Sequence, residues 1–239
     1  MADKLIDIKD RIILALDVDN PQKAKELVLQ TESHLNFYKV GLQLFLADWF
    51  NIVDWIIDRG HKVMVDLKFF DIPETVHLAV KQLKDRHVSL ATVHGNDAIV
   101  KAAVAATQTK SSDESLKILA VTVLTSFGEE DLIAMGMTQS IEDLVYFRAK
   151  RALELGCDGI VSSGLEAERV RTKLGDKLLI VTPGIRPGAN ICEPHDDQKR
   201  VMTAGRALTA GADHVVVGRP ITKADDPIGV IEAMQKEMV

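Results

Sequence analysis

Cysteine is scarce in this 239-residue sequence, which holds only Cys157 and Cys192. Two cysteines make neither a disulfide framework nor a cysteine-rich zinc site. Aromatic residues contribute 5% of the chain. No apolar run approaches the roughly 18–20 residues of a membrane-spanning helix. The opening Met-Ala-Asp-Lys stretch is too charged for a signal peptide, so a soluble, cytoplasmic protein is expected. Positive charge is also in deficit, 29 Lys and Arg against 35 Asp and Glu, for a net charge of −6. That balance argues against a general nucleic-acid or anionic-membrane binder, while leaving room for one local basic pocket. Linkers rich in Pro, Ser or Gly are missing, as are low-complexity tracts, so residues 1–239 are expected to form one domain.

What is present is a repeated alternation of short apolar runs and amphipathic stretches. The runs are Ile12–Leu16, Phe37–Val40, Val63–Leu67, Ser89–Val93, Ile118–Leu124, Gly159–Val161, Leu178–Val181 and His214–Val217. Each is rich in Val, Ile and Leu, as parallel strands covered on both faces should be. Between them Asn20-Pro21 reads as a helix start before Lys23–Gln30, and Ile72-Pro73-Glu74-Thr75 as another. Further helices are expected over Ala98–Thr107, Glu142–Leu155, Glu166–Leu174, Arg200–Ala210 and Pro227–Lys236. Eight strand–helix units of about 30 residues each are βαβ repeats. The spacing therefore predicts an α/β fold, a single (β/α)8 TIM barrel. An open doubly wound sheet is the rival, but no G-x-G-x-x-G follows the first strand.

Barrel enzymes place their chemistry where strands end. Strand one ends in Asp17, strand two carries Lys39, and strand three runs into Asp66-Leu67-Lys68-Phe69-Phe70-Asp71. Side chains alternate along a strand, so Asp66 and Lys68 should share one face with Met64. A lone strand-end charge is usually a solvated cap. Two carboxylates and two lysines on three adjacent strands instead suggest a paired network with a fixed field. A second signal follows the last two strands: Thr182-Pro183-Gly184-Ile185-Arg186-Pro187-Gly188 and Val217-Gly218-Arg219-Pro220-Ile221-Thr222. Loops there commonly bind phosphate, with Gly218 admitting the anion to backbone N–H groups and Arg219 gripping it. The polar stretch from Gly184 to Gln198, with His195, Asp196 and Asp197, is expected to form a mobile lid. Scattered histidines (His61, His77, His87 and His214) show no metal-ligand spacing, His94 at the end of strand four is open to lining the site or to packing, and Cys157 reads as core.

Asp66-Leu67-Lys68-Phe69-x-Asp71-Ile72-Pro73-x-Thr75 closely resembles the signature of orotidine 5′-phosphate decarboxylases of the bacterial type. So do Leu14-Ala15-Leu16-Asp17, Tyr38-Lys39-Val40-Gly41, Leu124-Thr125-Ser126 and the two Gly-Arg loops, in the family's order. Phe70 and Glu74 depart from the pattern, which has His and Asn there. The resemblance implies a homodimer that converts orotidine 5′-monophosphate to UMP and CO₂ without metal or organic cofactor. It implies that Asp17 and Lys39 hold ribose hydroxyls, that Asp66 lies beside the departing carboxylate, and that Lys68 protonates C6. It further implies that Asp71 and Thr75 come from the partner subunit and that Ser126 meets the pyrimidine edge. Arg186, Gln198, Gly218 and Arg219 complete the substrate-binding set, with the last three on the phosphate. A magnesium-dependent decarboxylase of a keto-sugar phosphate shares D-x-K-x-x-D, but carries a metal-binding Glu near the position of Lys39. A silent nucleotide-binding barrel is the other alternative.

Overall fold

The computed structural model describes residues 6–107, 116–188 and 200–239. Eight strands close into a parallel barrel in sequence order: β1 (Ile12–Ala15), β2 (Phe37–Gly41), β3 (Lys62–Phe69), β4 (Leu90–His94), β5 (Lys117–Val121), β6 (Gly159–Val161), β7 (Leu179–Thr182) and β8 (His214–Val217). The expected (β/α)8 barrel is therefore the fold, and each expected run overlaps one strand. The β1–β8 ladder, Ile12 against Val215 and Leu14 against Val217, seals the cylinder.

Two hydrophobic layers hold it. Inside, Ile13, Phe37, Met64, Leu119 and Val181 fill the lumen beneath the strand ends. Outside, the opposite faces of the same strands, including Leu14, Val63 and Val65, pack on the helices. Both faces are dry, which is why the strands read as continuous apolar runs rather than as alternation.

The helices begin where local chemistry dictates. Asn20 caps Pro21–Thr31 by accepting the Gln22 N–H at 2.8 Å, satisfying an otherwise orphaned donor. Pro73 starts Pro73–Lys84, where a missing N–H costs nothing. The helix expected from Arg200 starts only at Ala204. Thr203 caps it, and the residues before it run along the loop after β7. Between β2 and β3 the chain forms two helices, Leu42–Asp48 and Phe50–Asp58, divided at Trp49, whose φ of 50° breaks the spiral. Cys157 is buried in the core as expected, and burial pushes its thiol up to about 12.

Candidate active site

The open C-terminal end of the barrel holds a cavity of 770 Å³. Asp17, Lys39, Asp66, Lys68, Ser126, Arg186, Gly218 and Arg219 all line it. Residues scattered over 200 positions of sequence thus meet in one place because parallel strands bring all their C-termini to one rim.

On the β1–β3 side the charges interlock. Lys39, buried on β2, donates from Nζ to Asp17 Oδ1 at 2.8 Å and lies 3.6 Å from Asp66 Oδ2. Lys68 Nζ spans both oxygens of Asp66 at 2.9 Å. The order is Asp17, Lys39, Asp66, Lys68, with alternating sign. Burial disfavours the Asp66 carboxylate, yet Lys39 and Lys68, with hydrogen bonds from Lys68 and Thr92, hold its pKa below the ordinary value. Burial likewise works against the Lys39 ammonium, but Asp66 and Asp17 outweigh it and raise that pKa.

Gly41 makes room for this packing. It sits opposite Asp66 in the β2–β3 ladder, and a Cβ there would lie 3.1 Å from both Asp17 Oδ1 and Lys39 Nζ. Strand β3 is irregular at the same level. Its register with β4 shifts between Val65 and Phe69, and Lys68 takes a φ of 48°. The fully buried Thr92 on β4 bridges the irregularity: its hydroxyl accepts the Lys68 N–H at 3.0 Å and donates to Asp66 Oδ1 at 2.8 Å. Asp66 and Lys68 therefore both face the cavity, as alternation predicts, although the strand between them is bulged.

Thr92 escaped the sequence reading, its only signal being one hydroxyl within Leu90-Ala91-Thr92-Val93. Thr125 stood in the Leu124-Thr125-Ser126 motif without a role of its own. It is buried in the cavity wall beside Ser126, both in the loop after β5. Gly218 and Arg219 follow β8, the neighbour of β1, and a Cβ on Gly218 would lie 3.6 Å from Asp17 Oδ2; Arg186 Nη1 donates to the Ile185 carbonyl at 2.8 Å in the loop after β7. Asp71 and Thr75 are exposed and are not among the residues lining the cavity; Asp71 Oδ1 accepts the Ile72 N–H at 2.6 Å. His94 packs on Phe70, ring centroids 4.7 Å apart, rather than lining the cavity. Gln198, His195, Cys192 and most of the expected lid lie outside the described residues.

A barrel whose mouth sets a lysine–aspartate chain beside a Gly-Arg loop defines a class: (β/α)8 enzymes acting on small anionic phosphorylated substrates. Comparison with known proteins narrows it. Residues 10–234 match the model of the Orotidine 5′-phosphate decarboxylase / HUMPS family, and the chain belongs to that family. Orotidine 5′-phosphate decarboxylase of Methylococcus capsulatus is 49% identical over 239 residues, covering 100% of this chain and 96% of that protein. The enzyme of that name from Nitrobacter winogradskyi is 45% identical over 230 residues, 96% of this chain and 93% of its own. Among solved structures, the crystal structure of orotidine 5′-phosphate decarboxylase from Lactobacillus acidophilus superposes with a TM-score of 0.82 at 32% identity. It covers 96% of this chain and 99% of that one.

Proposed function

We propose that this chain decarboxylates orotidine 5′-monophosphate to UMP and CO₂, the closing step of UMP synthesis. The observation that carries this is the Asp17–Lys39–Asp66–Lys68 chain, which begins at Asp17 beside Gly218 of the Gly-Arg loop and runs over β2 and β3 to Lys68, all in one cavity. The substrate has a group for each end of this row: a phosphate for the Gly-Arg loop and a ring carboxylate for the Asp66–Lys68 end.

In this reading Gly218, Arg219 and Gln198 hold the phosphate, with Arg186 a further substrate-binding cation on the β7 loop. Asp17 and Lys39 hold the ribose hydroxyls, and Ser126 meets the amide edge of the pyrimidine. The C6–carboxylate bond breaks, CO₂ leaves, and the electron pair stays on C6. The Lys68 ammonium then gives its proton to C6 and is recharged from water. Repulsion between Asp66 and the carboxylate supplies only about 4 kcal/mol at 4 Å with an effective dielectric near 20. Enzymes commonly remove about 8–23 kcal/mol of barrier, so the larger share falls to Lys68 stabilising the developing carbanion.

The keto-sugar-phosphate alternative requires a divalent cation at this rim. Here the oxygens of Asp17 and Asp66 already hold two ammonium groups, whose charges would repel it. The deciding assay follows the ultraviolet absorbance of orotidine 5′-monophosphate with and without chelator. Turnover unaffected by chelator is expected; turnover lost with EDTA, or binding of UMP without any turnover, would overturn the proposal.

A homodimer with composite sites completes the reading. Leu42, Leu46, Trp49, Phe70 and Ile72 are exposed on the segments after β2 and β3, beside exposed Asp71 and Thr75. Exposed apolar side chains of this kind fit burial against a second copy that receives Asp71 and Thr75 in its site. Mixing inactive Lys68→Ala and Asp71→Ala chains should then restore activity, since one site of the mixed dimer is intact. Activity no greater than that of the parents would refute composite sites. A cytoplasmic setting fits a nucleotide-synthesis enzyme, and no helix among the described residues is long and apolar enough to cross a membrane.

A further inference from the structure

The segments that follow β5, β6 and β7 meet at a buried ion pair that the proposed chemistry does not use. Arg200 Nη1 donates to Glu166 Oε1 at 2.7 Å, the two side chains being 9% and 7% exposed. Arg200 Nη2 donates to the carbonyl of Leu124 at 2.9 Å and reaches that of Val123 at 3.4 Å. Glu166 lies in the first turn of Gly164–Leu174, just after β6. Val123 and Leu124 line the cavity and lead directly into Thr125 and Ser126. Two residues beyond Arg200, Met202 is tied to the loop after β7: Arg186 N–H donates to its carbonyl at 2.9 Å, and its own N–H donates to Gly184 at 3.1 Å. One guanidinium thus fastens together the loops after β5, β6 and β7.

This junction is costly. Among the described residues, Glu166 Oε2 and Arg200 Nε are buried with no hydrogen-bond partner. Burial pushes the Glu166 carboxyl up although Arg200 pulls it down. A buried ion pair is a poor route to stability, because apolar residues of the same volume often serve as well or better. Stability therefore gives no reason for it. Geometry does: a planar fork is the side chain that can bind a carboxylate on one edge and backbone carbonyls on another. Gly164 shows the same close fit, since a Cβ there would fall 2.1 Å from Met202 Sδ.

We propose that Arg200, held by Glu166, is a positioning residue that sets the loop after β5 and so tunes recognition of the substrate's ring end independently of its phosphate end. This rests on the reading that the pyrimidine lies along that loop. The test measures calorimetric binding of UMP, which has the ring, and of ribose 5-phosphate, which lacks it. Glu166→Gln leaves the guanidinium without its counter-charge; Glu166→Leu with Arg200→Met removes both buried charges, so a folded protein is expected even where the single change unfolds. In either variant UMP should bind about tenfold more weakly, the size of one lost charge-assisted hydrogen bond, and ribose 5-phosphate within about twofold of the wild type. Glu166→Asp should recover part of the UMP loss. Equal weakening of both ligands, or wild-type UMP affinity in the folded double variant, would overturn the proposal. If the unaltered protein binds ribose 5-phosphate but not UMP, the functional reading fails first and takes this one with it.

Discussion

Replacing Asp66 with Asn leaves the shape of the side chain and removes one charge from between two ammonium groups. Lys39 lies 3.6 Å from the carboxylate and is nearly buried; at an effective dielectric of 20 the attraction lost is about 4.6 kcal/mol. Lys68 is closer, at 2.9 Å, but 38% exposed, and solvent screening reduces its share to about 1 kcal/mol. Breaking one partner out of a buried pair costs about 3–5 kcal/mol, consistent with these values. For a chain of this size that corresponds to a melting temperature about 6–20 °C lower. Because the folded pKa of Asp66 is depressed, its stabilisation is present above the ordinary value of 3.8 and is lost only as pH falls through the lower folded value. The gap in melting temperature should stay constant from neutral pH down to that range and close only in stronger acid. Catalysis should fall as well, by about 10³ in kcat/KM if the carboxylate repulsion of about 4 kcal/mol is lost. Thermal melts across pH, with the absorbance assay at neutral pH, measure both. A variant that melts within about 2 °C of the wild type would refute the network reasoning, and a rate within tenfold would refute the catalytic role.

Lys68→Ala should bring single-turnover decarboxylation close to zero while UMP affinity changes by only a few fold; rates near wild type would remove Lys68 from the proton-donor role. Arg219→Ala should raise KM for the nucleotide about a hundredfold, as loss of a charge-assisted phosphate contact does. A substrate lacking the phosphate should show no such change, and equal losses on both would place Arg219 elsewhere. Gly41→Ala inserts a methyl 3.1 Å from Asp17 Oδ1 and Lys39 Nζ, so it should push that pair apart and lower kcat/KM by about tenfold. Unchanged kinetics would mean that the rim yields more easily than the geometry allows.

The barrel was legible because its strands are buried on both faces, so each appears as an undivided apolar run. Only the ends slipped: Ile118–Leu124 stops as a strand at Val121, since the residues after it belong to the cavity wall. The charges at the rim were legible because Asp and Lys at the ends of apolar runs need partners. Thr92 was not, because a hydroxyl in a buried strand looks ordinary until its hydrogen bonds are seen. Arg200 was misplaced in a helix: its neighbours have helical propensity, but the pairing of Met202 with the loop after β7 overrides it. Pairing over such distances leaves no periodic trace.

The irregular backbone under Lys68 carries a consequence for how this chain could lose its activity and persist. A residue with a Cβ at a φ of 48° sits where glycine would be more comfortable, at a cost of about 1–2 kcal/mol. The lysine is thus kept against the preference of its own main chain. A lineage released from selection for turnover would therefore have to lose Lys68 and Asp66 together: glycine alone at this position eases the main chain but strips the buried Asp66 carboxylate of the ammonium that holds both its oxygens.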